Sequence, residues 1–180
     1  GRIFEDLGLE IITSDTGVKL TGKVEGDCVV NAERTVTPTE NAVLAAVLGK
    51  GRRQVRLAAL EPHVVSLCEY LNSLGAKISG IGGFVLAIEG VDSLHEGEGT
   101  IIPDQLEAGT LAIAAAAGMG NVVIEEFVAS DHDMLLLKFA EMGVNFTLIN
   151  NRTIHIKPSR TLKAVDIQTQ PYPGFPSDLQ

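Results

Sequence analysis

Two acids in this sequence occupy turns that could aim a carboxylate at a substrate. Asp104 follows Pro103 in "IIPDQLEAG", and Asp178 follows Pro176-Ser177 in "FPSDLQ". Each turn is anchored by proline and opens what reads as a buried helix, so backbone N–H groups and a carboxylate converge on one place. That arrangement suits proton transfer or the holding of an anionic group. It equally describes a helix cap, in which the carboxylate accepts from the first N–H groups of the helix. Both readings stand for both residues.

The remaining titratable side chains read as structural. Lys50, Arg52, Arg53 and Arg56 form one basic cluster in "GKGRRQVR", which lacks the glycine spacing and Ser/Thr of a phosphate loop. It is expected to be a solvated turn between a helix and a strand. "GIGGF" is too short for a dinucleotide fingerprint. Asp131-His132-Asp133 invites a metal, but adjacent residues point different ways on a helix, and Asp131 stands where an N-cap is needed. Glu61 precedes Pro62 and reads as a cap or ion-pair partner. His63, His95 and His155 have no Cys or carboxylate at ligand spacing. Cys28 and Cys68 lie in apolar contexts, which favours buried free thiols over a disulfide.

The elements that must position these residues recur along the chain. "FEDLGLEI", "LNSLGAKI" and "FAEMGVNF" align without gaps, with Gly8, Gly75 and Gly143 falling 67 and 68 residues apart. Each has a helical apolar face, a glycine suited to the left-handed position after a helix, and then an alternating strand. Upstream, "TPTENAVLAAVLGKGRRQVRL" and "IPDQLEAGTLAIAAAAGMGNVVI" share a second plan, with Glu40 and Glu107, and Gly51 and Gly118, each 67 residues apart. A full unit therefore reads helix, strand, helix and strand pair. The expected elements are 40–49, 53–58, 62–74, 76–80 and 84–89, then 106–117, 121–125, 131–142, 144–149 and 153–157. "GIGG" and "NNR" serve as hairpin turns. By this register the chain holds the tail of one unit, two full units and the head of another, as expected of a piece of a longer repeating protein.

Helices 40–49 and 106–117 carry small or apolar residues on every face, so they are expected to be buried all round. The fold class that follows is α/β, with repeated units of an inside-out α/β barrel: small-residue helices near the axis and sheets outside. An open, doubly wound parallel sheet is the competing architecture and fits the hairpins less well. The polar connector "SLHEGEGTII" is the expected boundary between two lobes.

Composition narrows the function. Apolar residues make up 45% of the 180 residues and aromatics 4%, so the core is aliphatic. The net charge of −9 argues against nucleic acid or an anionic membrane as the main partner. There is no charged-then-apolar leader and no apolar run of membrane-spanning length, and the cysteine usage is that of a reducing compartment. A cytoplasmic location is the expectation.

Four ordered stretches, "TVTPTENAVLAAVL", "EPHVVSLCEYLNSLGAKISGIGG", "IIPDQLEAGTLAIAAAA" and "YPGFPSDLQ", resemble the enolpyruvyl transferases, across essentially the whole chain. "TENAVLAAVL" and "EPHV" favour the sugar-nucleotide branch over the sister branch that acts on a shikimate. The resemblance implies two domains, each an inside-out barrel of three units, with residues 1–97 in the first and 98–180 in the second. It implies transfer of enolpyruvyl from phosphoenolpyruvate to the 3-hydroxyl of UDP-N-acetylglucosamine in peptidoglycan synthesis, with phosphate released and no metal or organic cofactor needed. Asp178 matches the carboxylate that faces the sugar hydroxyl and takes part in its proton transfer. Ser177 matches a neighbouring contact to the sugar nucleotide, where the family often has Thr. Thr35, Val36 and Thr37 match a segment that binds the uridine diphosphate, and Asp104 joins them as a candidate contact.

The departures bear on activity. Pro38 replaces a small residue and is expected to alter its loop. The family's mobile loop with an active-site Cys (Asp in some members), its Lys-Asn pair and its phosphoenolpyruvate-binding arginines have no counterpart in these residues, and neither Cys28 nor Cys68 takes the loop's place. Without that cationic clamp an anionic transition state is not stabilised, so the 180-residue chain alone is expected to be inactive. A non-catalytic module of the same fold that binds a sugar nucleotide weakly, and the shikimate-directed enzyme, are the alternatives.

Overall fold

The computed structural model describes residues 2–179 and divides into two compact units, one running to Thr100 and the other starting at Ile101. The first contains α1 (Arg2–Asp6), β1 (Leu9–Ser14), β2 (Gly17–Gly22), β3 (Cys28–Asn31), α2 (Val36–Val47), β4 (Arg52–Arg56), α3 (Pro62–Ser73), β5 (Lys77–Ser79) and β6 (Val85–Glu89). The second contains α4 (Gln105–Ala117), β7 (Val122–Glu125), a 3-10 turn (Ala129–Asp131), α5 (Asp133–Met142), β8 (Asn145–Asn150), β9 (Thr153–Lys157) and a 3-10 turn (Ser177–Leu179).

In the first unit, β1 and β2 form an antiparallel hairpin, and four strands form a sheet in the order β3-β4-β6-β5. β3 and β4 run parallel and are joined through α2, while β6 is antiparallel to both β4 and β5. Period-2 alternation sends Val55, Leu86 and Ile88 inward and leaves the opposite face open. That inner face packs against Ala42, Val43, Ala46 and Val47 of α2 and Val64, Cys68 and Leu71 of α3. The second unit repeats the scheme with fewer strands. Its antiparallel sheet, β7-β9-β8, contributes Ile124, Ile154 and Ile156 to a core with Ala108, Ala112 and Ala116 of α4 and Leu135 and Phe139 of α5.

Gly8, Gly75 and Gly143 hold φ of 85°, 100° and 80°, the left-handed geometry that the repeat required of them. Both expected hairpins form, β5–β6 and β8–β9, and among the described residues no sheet is wholly parallel, β3–β4 being the one parallel strand pair. α2 and α4 are the most buried helices of their units, with five buried residues each against three on α3 and two on α5.

Three expectations fail. Neither small-residue helix is buried all round: Leu44 and Leu48 are exposed in the 40–49 stretch, and Thr110, Leu111, Ala114 and Ala117 form an exposed stripe at helical spacing on α4, with Leu111 51% accessible. Alanine content signals close packing but does not say on how many sides. Asp131 does not cap α5. A 3-10 turn takes up Ala129–Asp131, and the helix starts two residues later, with His132 at the N-cap position. Arg53 is not solvated. It is 1% exposed because alternation along β4 points it inward, whereas Lys50, Arg52 and Arg56 remain exposed. Its guanidinium donates to the carbonyls of Gly51, Val24 and Lys50 at 3.1, 2.9 and 2.6 Å. Among the described residues no helix is long and apolar enough to cross a membrane.

Candidate functional site

In the first unit the chain enters α2 through a strained turn. Glu33 and Arg34 are both non-glycine residues at φ 55°. Such conformations cost roughly 1 kcal/mol or more each and persist where their surroundings over-determine them. Here the Glu33 N–H donates to Asn31 Oδ1 (3.0 Å), the Arg34 N–H donates to the Leu57 carbonyl (2.6 Å), and the Arg34 guanidinium lies 4.7 Å above the Phe84 ring.

Thr35 then sits at the N-cap in an extended conformation, but its hydroxyl donates to the Glu33 carbonyl rather than capping the helix. Thr39 fastens the first turn instead. Its hydroxyl donates to the Thr35 carbonyl (2.8 Å) and accepts from the Ala59 N–H (2.9 Å). Val36 and Thr37 occupy the positions whose N–H groups a helix start leaves without intrahelical partners. Pro38 lies within that same turn, where its missing donor is harmless, and α2 continues through it unbroken.

Thr35 and Thr37 line a pocket of about 270 Å³ together with Arg2, Asn31, Glu33 and Asn41. Val36 is not among its walls. The Asn41 side-chain amide donates to the Thr37 carbonyl at 2.9 Å. Arg2 and Glu33 approach to 3.9 Å, both largely exposed, a pair that adds little stability but lines the mouth with both charges. A larger hollow of about 770 Å³ crosses one end of the four-stranded sheet, and none of the candidate residues lines it. One ion-pair cluster lies in its wall. Glu89 meets Lys77 at 2.9 Å and Arg52 at 3.9 Å, and the Lys77 hydrogen bond and charge hold the Glu89 carboxyl below its usual range.

In the second unit Asp104 is the N-cap of α4. Its carboxylate accepts from the N–H groups of Leu106 (2.8 Å) and Glu107 (3.1 Å). Ser177 and Asp178 sit exposed on the last 3-10 turn, and the Ser177 hydroxyl donates to Asp178 Oδ2 at 3.5 Å. The turn is held from both sides of the chain. Phe175 and Leu179 are buried in the core, the Gln170 N–H donates to the Phe175 carbonyl, and the Gly174 N–H donates to the Pro171 carbonyl. α4 is the shared support, because Asp104 caps it and Leu179 packs against its Gly109.

Asp131 is half-buried. Burial pushes its carboxyl up, the charge of His132 and the Ser130 hydroxyl oppose this, and Asp133 adds to it. Glu61 stands at the N-cap of α3 without a side-chain cap bond, and its Oε2 is buried without a hydrogen-bond partner. No group of three or more His, Cys, Asp or Glu able to hold a metal occurs among the described residues. Arg2, Asn31 and Asn41 escaped the sequence reading because they come from three separate elements. The one local signal was Asn31 ending "CVVN", a strand that the reading did not assign.

Residues 3–180 match the family model described as EPSP synthase (3-phosphoshikimate 1-carboxyvinyltransferase). The chain is 41% identical over 178 residues to UDP-N-acetylglucosamine 1-carboxyvinyltransferase 2 of Oceanobacillus iheyensis, covering 98% of this chain and 41% of that protein. It is 41% identical over 179 residues to UDP-N-acetylglucosamine 1-carboxyvinyltransferase 1 of Halalkalibacterium halodurans, covering 98% and 40%. The chain thus spans about two fifths of the length of these relatives. Among solved structures, the enolpyruvyl transferase NikO from Streptomyces tendae superposes with a TM-score of 0.83 at 21% identity, over 98% of this chain and 45% of that one. EPSP synthase from Acinetobacter baumannii gives a TM-score of 0.59 at 22% identity, over 91% and 40%. These neighbours share the α/β fold, in keeping with the inside-out barrel units expected from the repeat. With a family match over nearly its whole length and that fold beneath it, the chain belongs to the EPSP synthase family of enolpyruvyl transferases.

Proposed function

We propose that this chain is part of a UDP-N-acetylglucosamine 1-carboxyvinyltransferase, which moves the enolpyruvyl group of phosphoenolpyruvate onto the sugar 3-hydroxyl and releases phosphate. The observation that carries the reading is the 41% identity, sustained over 98% of the chain, to proteins of that name. On this reading the two units are portions of two barrel domains. The product feeds peptidoglycan, and so cell shape and division, and the reaction takes place in the cytoplasm.

The geometry supports a division of labour. The pocket at the start of α2 is lined by Thr35 and Thr37, and the helix that opens there leaves first-turn N–H groups without intrahelical partners, donors suited to a diphosphate. Asp178, exposed on a turn fixed by two buried neighbours, is the proton acceptor for the sugar hydroxyl, with Ser177 beside it. Asp104 contributes through the helix start it caps, a place suited to an anionic group.

The test is phosphate release by the enzyme that contains this chain, supplied with phosphoenolpyruvate and either UDP-N-acetylglucosamine or 3-phosphoshikimate. Turnover with the sugar nucleotide is expected. Turnover with the shikimate alone would move the protein to the other branch, to which the name of the family model points. Binding of the sugar nucleotide without turnover would make it a non-catalytic module.

A further inference from the structure

His132 is a buried polar group that the functional reading leaves unused. It is 4% exposed, and its ring lies flat on Phe127, with centroids 3.9 Å apart and an interplanar angle of 17°. Nδ1 is 2.8 Å from the carbonyl oxygen of Val128, and Nε2 is 2.9 Å from that of Gln105. A carbonyl oxygen only accepts, so each bond requires an N–H on the ring. A neutral imidazole has one N–H; the imidazolium has two. The arrangement is complete only in the charged form.

The charged groups on the neighbouring elements are mostly acidic. Asp131 and Asp133 flank His132 in sequence. α4, packed against it, brings Asp104 and Glu107, the last turn brings Asp178, and the segment after β7 brings Glu126. Asp104 is engaged as the cap of α4, and Glu126 is paired with Arg152, the one cation among these groups. Glu107, Asp133 and Asp178 are exposed. Asp131 lines the same small hollow as His132, whose charge opposes the upward push of burial on the Asp131 carboxyl. The flat contact with Phe127 adds the attraction of a cation for an aromatic face.

We infer that His132, as the imidazolium, is a positioning residue that ties the first turn of α4 to the 128–132 segment, and through Gly109 of α4 supports the Ser177–Leu179 turn. The Nε2 bond holds the backbone of Gln105, the residue next to Asp104. The ring's edge reaches the bare face of Gly109, where a Cβ would stand 3.5 Å from His132 Cδ2 and 3.1 Å from the Leu179 methyl carbons. The link from ring to acid is therefore one residue, Gln105, on the Asp104 side and two, Gly109 and Leu179, on the Asp178 side. When the ring loses a proton, one of the two carbonyl bonds goes, and α4 is released from the 128–132 segment or the ring tilts toward its remaining partner. The inference rests on the proposed function only in naming Asp104 and Asp178 as the acids positioned.

The test needs no substrate, so its outcome is separate from that of the turnover assay. Ring 15N shifts of His132, backbone amide shifts of Gln105, Leu106, Glu107 and Leu179, and side-chain carboxyl shifts of Asp104 and Asp178 are followed in this chain from about pH 5 to 9, which brackets histidine titration. At the acid end both ring nitrogens should be protonated. As the pH rises one should lose its proton, with the Gln105–Glu107 and Leu179 amides moving at the same midpoint. His132→Phe keeps a ring on Phe127 and removes both donors, and should abolish the shared midpoint. If that variant does not fold, His132→Gln, with a neutral donor that cannot titrate, should do the same. A ring that stays neutral in one tautomer down to acid unfolding overturns the inference, and so does a ring titration that leaves Gln105–Glu107 and Leu179 unmoved.

Discussion

A Cβ on Gly109 would stand 3.1 Å from both methyl carbons of Leu179, so the turn that carries Asp178 rests on bare helix backbone. Glycine inside a helix costs about 0.5–1 kcal/mol relative to alanine. Gly109→Ala is expected to strengthen α4 by about that amount while pushing Leu179 outward. The Leu179 N–H, which donates to the Pro176 carbonyl at 3.3 Å, should then exchange faster with deuterium. Unchanged exchange would mean that the Leu179 side chain turns aside and the turn stays put.

Asp104→Ala should destabilise the second unit by about 0.5–2 kcal/mol, since the carboxylate accepts two first-turn N–H bonds of α4. Asp104→Asn retains an acceptor and should recover most of that loss in a denaturant titration. If the Asn variant is as unstable as the Ala variant, the stabilisation comes from the charge at the helix end rather than from the hydrogen bonds.

Asp178 poses the opposite case. Its hydrogen bond is a long one, at 3.5 Å from the Ser177 hydroxyl, so Asp178→Asn should leave the melting temperature near that of the parent protein. In the enzyme containing this chain, turnover should fall by about 10²–10⁴-fold, the usual contribution of a general base, while sugar-nucleotide binding largely survives. Normal turnover with a lowered melting temperature would leave Asp178 a purely structural residue.

Arg53 should be among the least replaceable residues of the first unit. Bonds to a charged donor are worth roughly 1.5–3 kcal/mol each, and Arg53 makes three. Arg53→Met is expected to cost about 3 kcal/mol or more in chemical denaturation. Arg53→Lys should fall between, because one ammonium does not reproduce the guanidinium fork. Equal stability of the Met variant would show that burying the charge costs as much as its bonds return.

Cys68 gives a pH-dependent signature. Burial, with Glu69 and Glu40 adding to it, pushes its thiol from 9.0 up to about 11. The unfolded chain ionises this thiol first, so the stability from the neutral buried form is complete below pH 9.0 and is lost as the pH climbs through about 11. Cys68→Ala should flatten that alkaline decline. At neutral pH a thiol reagent should label Cys28, which is half-buried, and reach Cys68 only on unfolding. Equal labelling of both in the native protein would contradict the burial.

What the sequence made legible was whatever depends on local chemistry repeated at a fixed interval. The left-handed glycines at 8, 75 and 143 declared where each helix ends, and alternation marked the strands that follow them. Side-chain direction at a junction was harder to read. "GKGRRQVR" is uniformly basic, yet one arginine of the four faces the core because of its parity along β4, which composition does not encode. Asp131 is a good capping residue, but a 3-10 turn takes up Ala129–Asp131 and the helix starts past it, a tertiary preference its residue type does not encode. Of the site, the Thr35–Thr37 segment and the proline turns could be named from their own residues. The rest of the pocket, Arg2, Asn31 and Asn41, exists only after three elements have come together.

The left-handed pair Glu33–Arg34 sets selection for heat tolerance against selection for turnover. Glycine at either position would relax the backbone of the folded state, and a population screened for thermal survival alone would drift toward it. The same exchange at 34 would strip the guanidinium from Phe84 and free the entry to α2, loosening the wall of the pocket that Thr35 and Thr37 line. Lineages under demand for catalysis should therefore keep a costly, side-chain-bearing pair at this corner, and lineages released from that demand should lose it early.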